Sequence, residues 1–257
     1  MALLIIVLVS SGHLSDLTRE KGNILTIAEQ LGATDFVKYA NESGLTYVFT
    51  SQGPLTVFVP TNEAFRHLPD QLNGSLQDRD YVRTLLQYHT VNGTHLKTSF
   101  INNKKLRSLM KEDEEYLDII INIYQGGQVL TVSGSPITNP DNKASNGVVH
   151  IIDRVMYMQP ILGDGKVATL KRPIYCICPF GYVLMKNHVV PGTYYTAGMY
   201  NNETFTTLLG QTIAVEQTSL RGNTTISGAW LILPDFTCTN GVVHITSEVF
   251  LPPDFFE

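Results

Sequence analysis

Cysteine is scarce, with Cys176, Cys178 and Cys238 the only three in 257 residues. An odd number cannot be fully paired within one chain. Charge of a single sign is scarce too. A net charge of −5 and a pI near 5.8 leave no clustered basic footprint, so nucleic acid is excluded as a partner. No stretch reaches the ~20 consecutive apolar residues that cross a bilayer, which excludes direct membrane insertion. The motifs of common catalytic sites are missing as well. His13, His67, His89, His95, His150, His188 and His244 show no H-x-x-x-H or H-E-x-x-H spacing. There is no G-x-S-x-G elbow, and Gly163-Asp164-Gly165-Lys166 lacks the remaining glycine of a phosphate loop. No enzyme, metal or cofactor is expected. What the chain does have is 43% hydrophobic and 16% charged residues, enough to bury an ordinary core.

Residues 1–9 are an apolar run followed by Ser10, Ser11 and Gly12, with no Lys or Arg before it. Residues 1–12 read either as the remnant of a signal peptide or as an artificial start of a longer chain. Five N-x-S/T tripeptides, at Asn41, Asn73, Asn92, Asn202 and Asn223, fit passage through the secretory pathway and are candidate N-glycosylation sites. An extracellular location is expected, secreted or within a receptor ectodomain.

The chain contains an internal repeat. Asn-Gly-Val-Val-His-Ile starts at Asn146 and again at Asn240. Ser133-Gly134 and Pro140-Asp141 recur as Ser227-Gly228 and Pro234-Asp235, all displaced by the same 94 residues (146 to 240, 133 to 227, 140 to 234). A constant offset across separate pieces marks a duplicated structural unit. Farther upstream Leu184 to His188 matches Leu85 to His89. Nothing before His188 matches the long stretch that precedes His89, so the second copy is expected to be truncated.

Apolar spacing predicts helices over residues 23–31 and 35–40, and Gly32 is placed to end the first. Residues 55–59 read as a strand buried on both faces and stopped by Pro60. A helix capped by Thr61 or Asn62 follows, with Ala64, Phe65 and Leu68 inward. Another amphipathic helix covers residues 80–89. Lys104, Lys105 and Arg107 beside the acidic residues 112–115 read as solvated loop or hairpin ends rather than a glycan-binding patch. Residues 117–124 and 128–132 are strands across Gly126-Gly127, and residues 147–156 a further buried strand. In the second copy, residues 213–216 and 229–233 are strands. Helices first and strands after argue an α+β fold.

These stretches resemble the fasciclin-type adhesion domain. Residues 54–65 (PLTVFVPTNEAF) are similar to its first signature, residues 84–96 (TLLQYHTVNGTHL) to its Tyr-His segment, and residues 146–156 (NGVVHIIDRVM) to its second signature. The resemblance covers residues 15–158 as a complete domain. Residues 184–253 form a partial second copy, in which Asn187 replaces the Tyr and the first signature has no counterpart. Between them, residues 159–183 form a connector in which Cys176 to Tyr182 resembles the tail of an EGF-like module. That alternation is similar to the stabilin class of scavenger receptors. The resemblance implies a wedge of two small β-sheets with surrounding helices. It also implies adhesion or ligand capture without catalysis, the partner being a cell-surface receptor such as an integrin, a matrix component or a scavenged ligand. The alternative is a structural spacer in a larger receptor or matrix protein.

Thr61, Phe65, Asn146, Gly147, His150, Asp153, Asn240, Gly241 and His244 read as structural signature residues. A His flanked by apolar residues is typically a hydrogen-bonded core group. Asp153, three residues on, is expected across the strand from His150. Tyr88 and His89 are the candidate partner-binding pair. The family's association of this segment with integrin binding touches these two positions, and the competing expectation is that both are buried and pin their helix. Without the first half of its domain, the second copy is expected to leave residues 213–215 and 229–233 uncovered.

Overall fold

The computed structural model describes residues 22–68, 70–112, 115–157, 179–217, 224–238 and 241–252. The signal-like start, Cys176, Cys178, Asn223, Asn240 and most of the 159–183 connector lie outside the described residues.

Helices come first. Asn23 accepts the Thr26 amide at 3.0 Å and caps α1 (Ile24–Gln30), the kind of contact that is worth about 1 kcal/mol. Gly32 then turns the chain at a φ of +82°, a left-handed conformation that favours glycine. α2 (Thr34–Glu42) and α3 (Thr46–Ser51) complete a helical layer whose inward side chains include Ile24, Ala28, Phe36 and Phe49. The third of these helices is not signalled by apolar spacing. β1 (Leu55–Pro60) is buried along its whole length, as its β-branched sequence predicts. Val57 and Val59 face the helical layer, while Phe58 points into a second core.

Of the two capping candidates, Thr61 caps α4 (Asn62–Arg66), accepting the Ala64 amide at 3.1 Å. Asn62 instead ties down the start of α2, accepting from the Asp35 amide and donating to Thr34 Oγ1. After α5 (Asp70–Asn73), Asp78 caps α6 (Arg79–Tyr88), which lays Val82, Leu85 and Leu86 inward.

The strands β2 (Thr90–Asn92), β3 (Lys104–Glu112), β4 (Glu115–Tyr124), β5 (Val129–Val132), β6 (Ser135–Ala144) and β7 (Gly147–Ile152) follow. Together with β1 they close into a ring in sequence order, β7 returning to pair with β1 in parallel. The two small sheets expected from the sequence are therefore joined: β3 and β6 each pair with both halves, so the wedge has no open side. The basic cluster sits on β3 in a hairpin with β4, where Arg107 is directly opposite Asp118. Phe58, Ile119, Ile121, Val132 and Ile152 fill the interior.

The second unit comprises α7 (Pro179–Asn187), β8 (Thr204–Thr206), β9 (Thr212–Gln217), β10 (Thr224–Ile226), β11 (Ala229–Cys238) and β12 (Gly241–Thr246). Its strands form an open sheet in the order β12-β11-β10-β9-β8. β11 and β12 are β6 and β7 moved by 94 residues, with the same bounds. One expectation is corrected here. Ile213 and Val215 are not uncovered; they are buried among Met199, Phe205 and Ile226, and Ala229 is buried too. Within 229–233 the expectation holds for Trp230, Ile232 and Leu233, which are exposed on β11, and Val243 and Ile245 on β12 are exposed beside them.

The two units touch. Tyr124 donates its hydroxyl to the Thr193 carbonyl at 3.1 Å and accepts the Tyr195 amide. Tyr195 is fully buried against Gly134, where a Cβ would meet its ring at 2.4 Å. Arg154 pairs with Asp235 at 2.9 Å.

Candidate functional site

Tyr88 and His89 end α6 facing inward. His89 is fully buried; its Nδ1–H donates to the Leu85 carbonyl at 2.8 Å and its Nε2 accepts the Met156 amide at 2.9 Å. Those two partners require the neutral ring, because a second proton would set N–H against N–H. Burial drives its pKa down to about 4, with the Leu85 carbonyl opposing in part. Tyr88 lies in the barrel core beside Phe58 and Val91, and burial raises its phenol. The structure thus places both at the seam between helix and barrel, where they anchor α6, rather than on the surface.

His150 is held from both ring nitrogens. Nδ1 accepts the Asp141 amide at 3.1 Å, and Nε2–H donates to the His95 carbonyl at 2.8 Å. The rings of Phe58 and Phe100 lie 5.3 and 5.4 Å away. Burial lowers its pKa, and the His95 carbonyl and Asp141 oppose that shift. The acidic neighbour is Asp141 and not Asp153: Asp141 Oδ1 is 3.9 Å from Nδ1, and the same oxygen accepts the Lys97 amide at 2.7 Å. The Asp153 amide donates to Pro136.

The repeat carries these networks over atom for atom. His188 donates to the Leu184 carbonyl at 2.8 Å and accepts the Phe250 amide at 2.9 Å. His244 accepts the Asp235 amide at 3.2 Å and donates to the Tyr194 carbonyl at 2.8 Å. Asp141 and Asp235 share a positive φ, 64° and 66°, and so do Ser133 and Ser227. Four histidines thus bridge one backbone group to another.

Asn146 joins three elements, accepting the Ile24 amide and donating to the Phe49 and Gln52 carbonyls. Gly147 allows β1 to come close: a Cβ there would lie 2.0 Å from the Leu55 carbonyl oxygen. Phe65 packs in the helical core against Tyr39. Asn41, Asn73, Asn92 and Asn202 are exposed. Cys238 is a free, buried thiol.

Among the described residues no group of three His, Cys, Asp or Glu side chains could hold a metal ion, and no helix is long and apolar enough to cross a membrane. A cleft of about 380 Å³ lies between α3, α6 and β3, lined by Val48, Phe49, Thr84, Leu109 and Tyr116 among others. Its lining mixes apolar, hydroxyl and amide side chains with a single cation, Lys111, and brings no acid–base pair together. The residues joining the two units escape motif reading. Pro140-Asp141 repeated as Pro234-Asp235 was the signal that could have found Asp235. In the second copy its carboxylate accepts both the Thr196 amide at 2.7 Å and the Arg154 guanidinium.

Compared with known proteins, the chain matches the Fasciclin domain over residues 31–158 and 183–252. It is similar to periostin of Homo sapiens, 26% identical over 269 residues, covering 86% of this chain and 31% of that protein. It is also similar to stabilin-2 of Mus musculus, 27% identical over 194 residues, covering 71% of this chain and 7% of that protein. The chain spans less than a third of the length of these relatives. Among solved structures, the FAS1 domain pair from the insect cell adhesion molecule fasciclin I aligns with 18% identity and a TM-score of 0.43, covering 88% of this chain and 99% of that one.

Proposed function

Because this chain belongs to the fasciclin domain family, we propose that it works as an extracellular adhesion and ligand-capture module, binding by surface complementarity. Domains of this family are adhesion and structural modules rather than catalysts. The observation that carries the reading is the internal use of the signature residues. His89, His150, His188 and His244 have both ring nitrogens engaged by backbone groups, so the groups that could do acid–base chemistry hold the framework instead. Recognition then falls to the outer faces and the loops.

Within that class, the similarity to stabilin-2 and the sequence from Cys176 to Tyr182 favour a segment of a scavenger-receptor ectodomain. Its partner is a matrix component, a scavenged ligand or a cell-surface receptor such as an integrin. With Tyr88 and His89 internal, an integrin would meet the loops they support and not the pair itself.

Immobilised full-length chain tests the reading. Saturable retention of cells or of soluble matrix ligands, without turnover of any ligand, is the expected outcome. A spacer role is the second reading, favoured by the Tyr124–Tyr195 and Arg154–Asp235 contacts that hold one unit against the other. It prevails if the chain binds nothing and nevertheless fixes the distance between its two ends.

A further inference from the structure

Among the described residues, the second unit has the strand that closes the first ring but not the strand it closes against. β7 runs parallel to β1 from Leu55↔Gly147 to Pro60↔Ile152. β12 carries the same Gly-Val-Val-His-Ile over residues 241–245 and pairs with β11 on one side. Among the described residues it has no strand on the other. A row of backbone N–H and C=O groups on such an edge is a template for another strand.

Three features of β11 and β12 point to what covers that edge. Gly147 is crowded, its Cβ position 2.0 Å from the Leu55 carbonyl oxygen, whereas a Cβ at Gly241 would have no heavy atom of the described residues within 4 Å, and Gly241 has no positive φ. Neither backbone conformation nor crowding asks for glycine at 241. A backbone passing as close as β1 passes β7 would ask for it. Next, Val149 and Ile151 are buried against the helical layer, while their counterparts Val243 and Ile245 are each 39% exposed. Finally, the β6 residues Pro136, Thr138 and Asn139 correspond to Trp230, Ile232 and Leu233, displaced by the same 94 residues. The latter three are 48%, 57% and 45% exposed. Leu233 pairs directly with Ile245 across the two strands, which makes the apolar surface continuous. A face that stays wet has no use for Ile and Leu in place of Thr and Asn; a face that becomes covered does.

We infer that the outer edge of β12 is a docking site for an extended, uncharged, β-branched segment of a separate polypeptide. It lies parallel to β12 in the register β1 takes against β7. Main-chain hydrogen bonds hold the incoming strand, and every second side chain covers Val243, Ile245 and the β11 patch. Charge on those inward positions is excluded by the apolar face they meet. The fitting sequence is illustrated by β1 itself, Leu-Thr-Val-Phe-Val-Pro, but that strand is already held between β2 and β7. A second copy of this chain has its β1 held in the same way, so β1 itself is not the donor. The inference stands apart from the adhesion reading: cells can fail to attach while the edge still takes a strand.

The test uses the full chain and a fluorescent peptide of residues 53–65. Saturable binding by anisotropy, with slowed hydrogen exchange of the amides of residues 241–246, is expected. Gly241→Val, whose new side chain meets no described atom, should weaken binding about tenfold while leaving the circular dichroism unchanged. Ile245→Lys, at a partly exposed position, should do the same by a different route. A peptide with Val57→Lys and Val59→Lys should not bind. Absence of saturable binding, or binding that both variants leave intact, overturns the inference. Protection of β12 amides without peptide overturns it too: concentration-dependent protection identifies a second copy as the occupant, and concentration-independent protection a segment of the same chain.

Discussion

Acid should loosen the first unit through His89. Its ring is fully buried and neutral, fixed between the Leu85 carbonyl and the Met156 amide. The folded pKa is about 4, against about 6.5 for an unfolded histidine. Between these values the unfolded chain binds more protons, so stability rises with pH across the window. It is fully present above the unfolded pKa and lost as pH falls towards 4. At about pH 5 the unfolded ring is nearly all protonated and the folded ring about a tenth, which costs about 2 kcal/mol; below the folded value the loss levels off at about 3 kcal/mol. His150, whose pKa is also lowered, adds in the same direction. The assay is urea unfolding followed by far-UV circular dichroism and by exchange of β7 amides. Trp230, the single tryptophan, reports the second unit and serves as the internal comparison. His89→Gln keeps an acceptor for the Met156 amide but gives up the donor to Leu85. It should start about 1 kcal/mol less stable at neutral pH and then lose about 2 kcal/mol less than the wild type on going to about pH 5. A variant whose pH slope matches that of the wild type refutes the assignment of the proton to His89.

Gly147→Ala should destabilise the first unit by about 3 kcal/mol or more, because its Cβ has backbone in front of it and β1 must move; thermal melts read the loss. Asn146→Ala removes three bonds, one to α1 and two to the end of α3, and should cost about 2 kcal/mol by urea unfolding. Asp235→Ala releases both Arg154 and the Thr196 amide, and should raise hydrogen exchange at residues 193–198 while leaving β7 amides protected. In limited proteolysis the second unit, an open sheet with an apolar face, should be cut before the closed ring of the first. Equal resistance of the two would contradict that expectation.

The strands and helices with strong periodicity were legible in the sequence. Residues 55–59 announced β1 by their β-branched run, and Val82, Leu85 and Leu86 announced α6. β6 was not legible: Ser135 to Ala144 contains two prolines, two asparagines and an aspartate, a composition that reads as loop. It is a strand because its neighbours β5 and β7 supply the pairing, and two register shifts accommodate the irregular sequence. α3 was missed for the opposite reason, since Thr46 to Ser51 is rich in β-formers and becomes helical by burying Phe49 against Phe36. That His150 is buried and hydrogen-bonded was readable from its apolar flanks, but its partner Asp141 was not. That pairing depends on a left-handed residue nine positions upstream, which no strand-period argument anticipates.

The parallel pairing of β1 with β7 has a consequence for how the chain folds during synthesis. Leu55 cannot meet Gly147 until the intervening residues have been made, so the first ring must wait with its helices assembled and its seam open. Among the described residues, every pairing in the second unit, by contrast, is antiparallel and joins strands adjacent in sequence. Low contact order favours rapid folding there. The later-synthesised, less enclosed unit should therefore form quickly once it emerges, while the sturdier one, bound by a contact spanning most of its length, closes slowly.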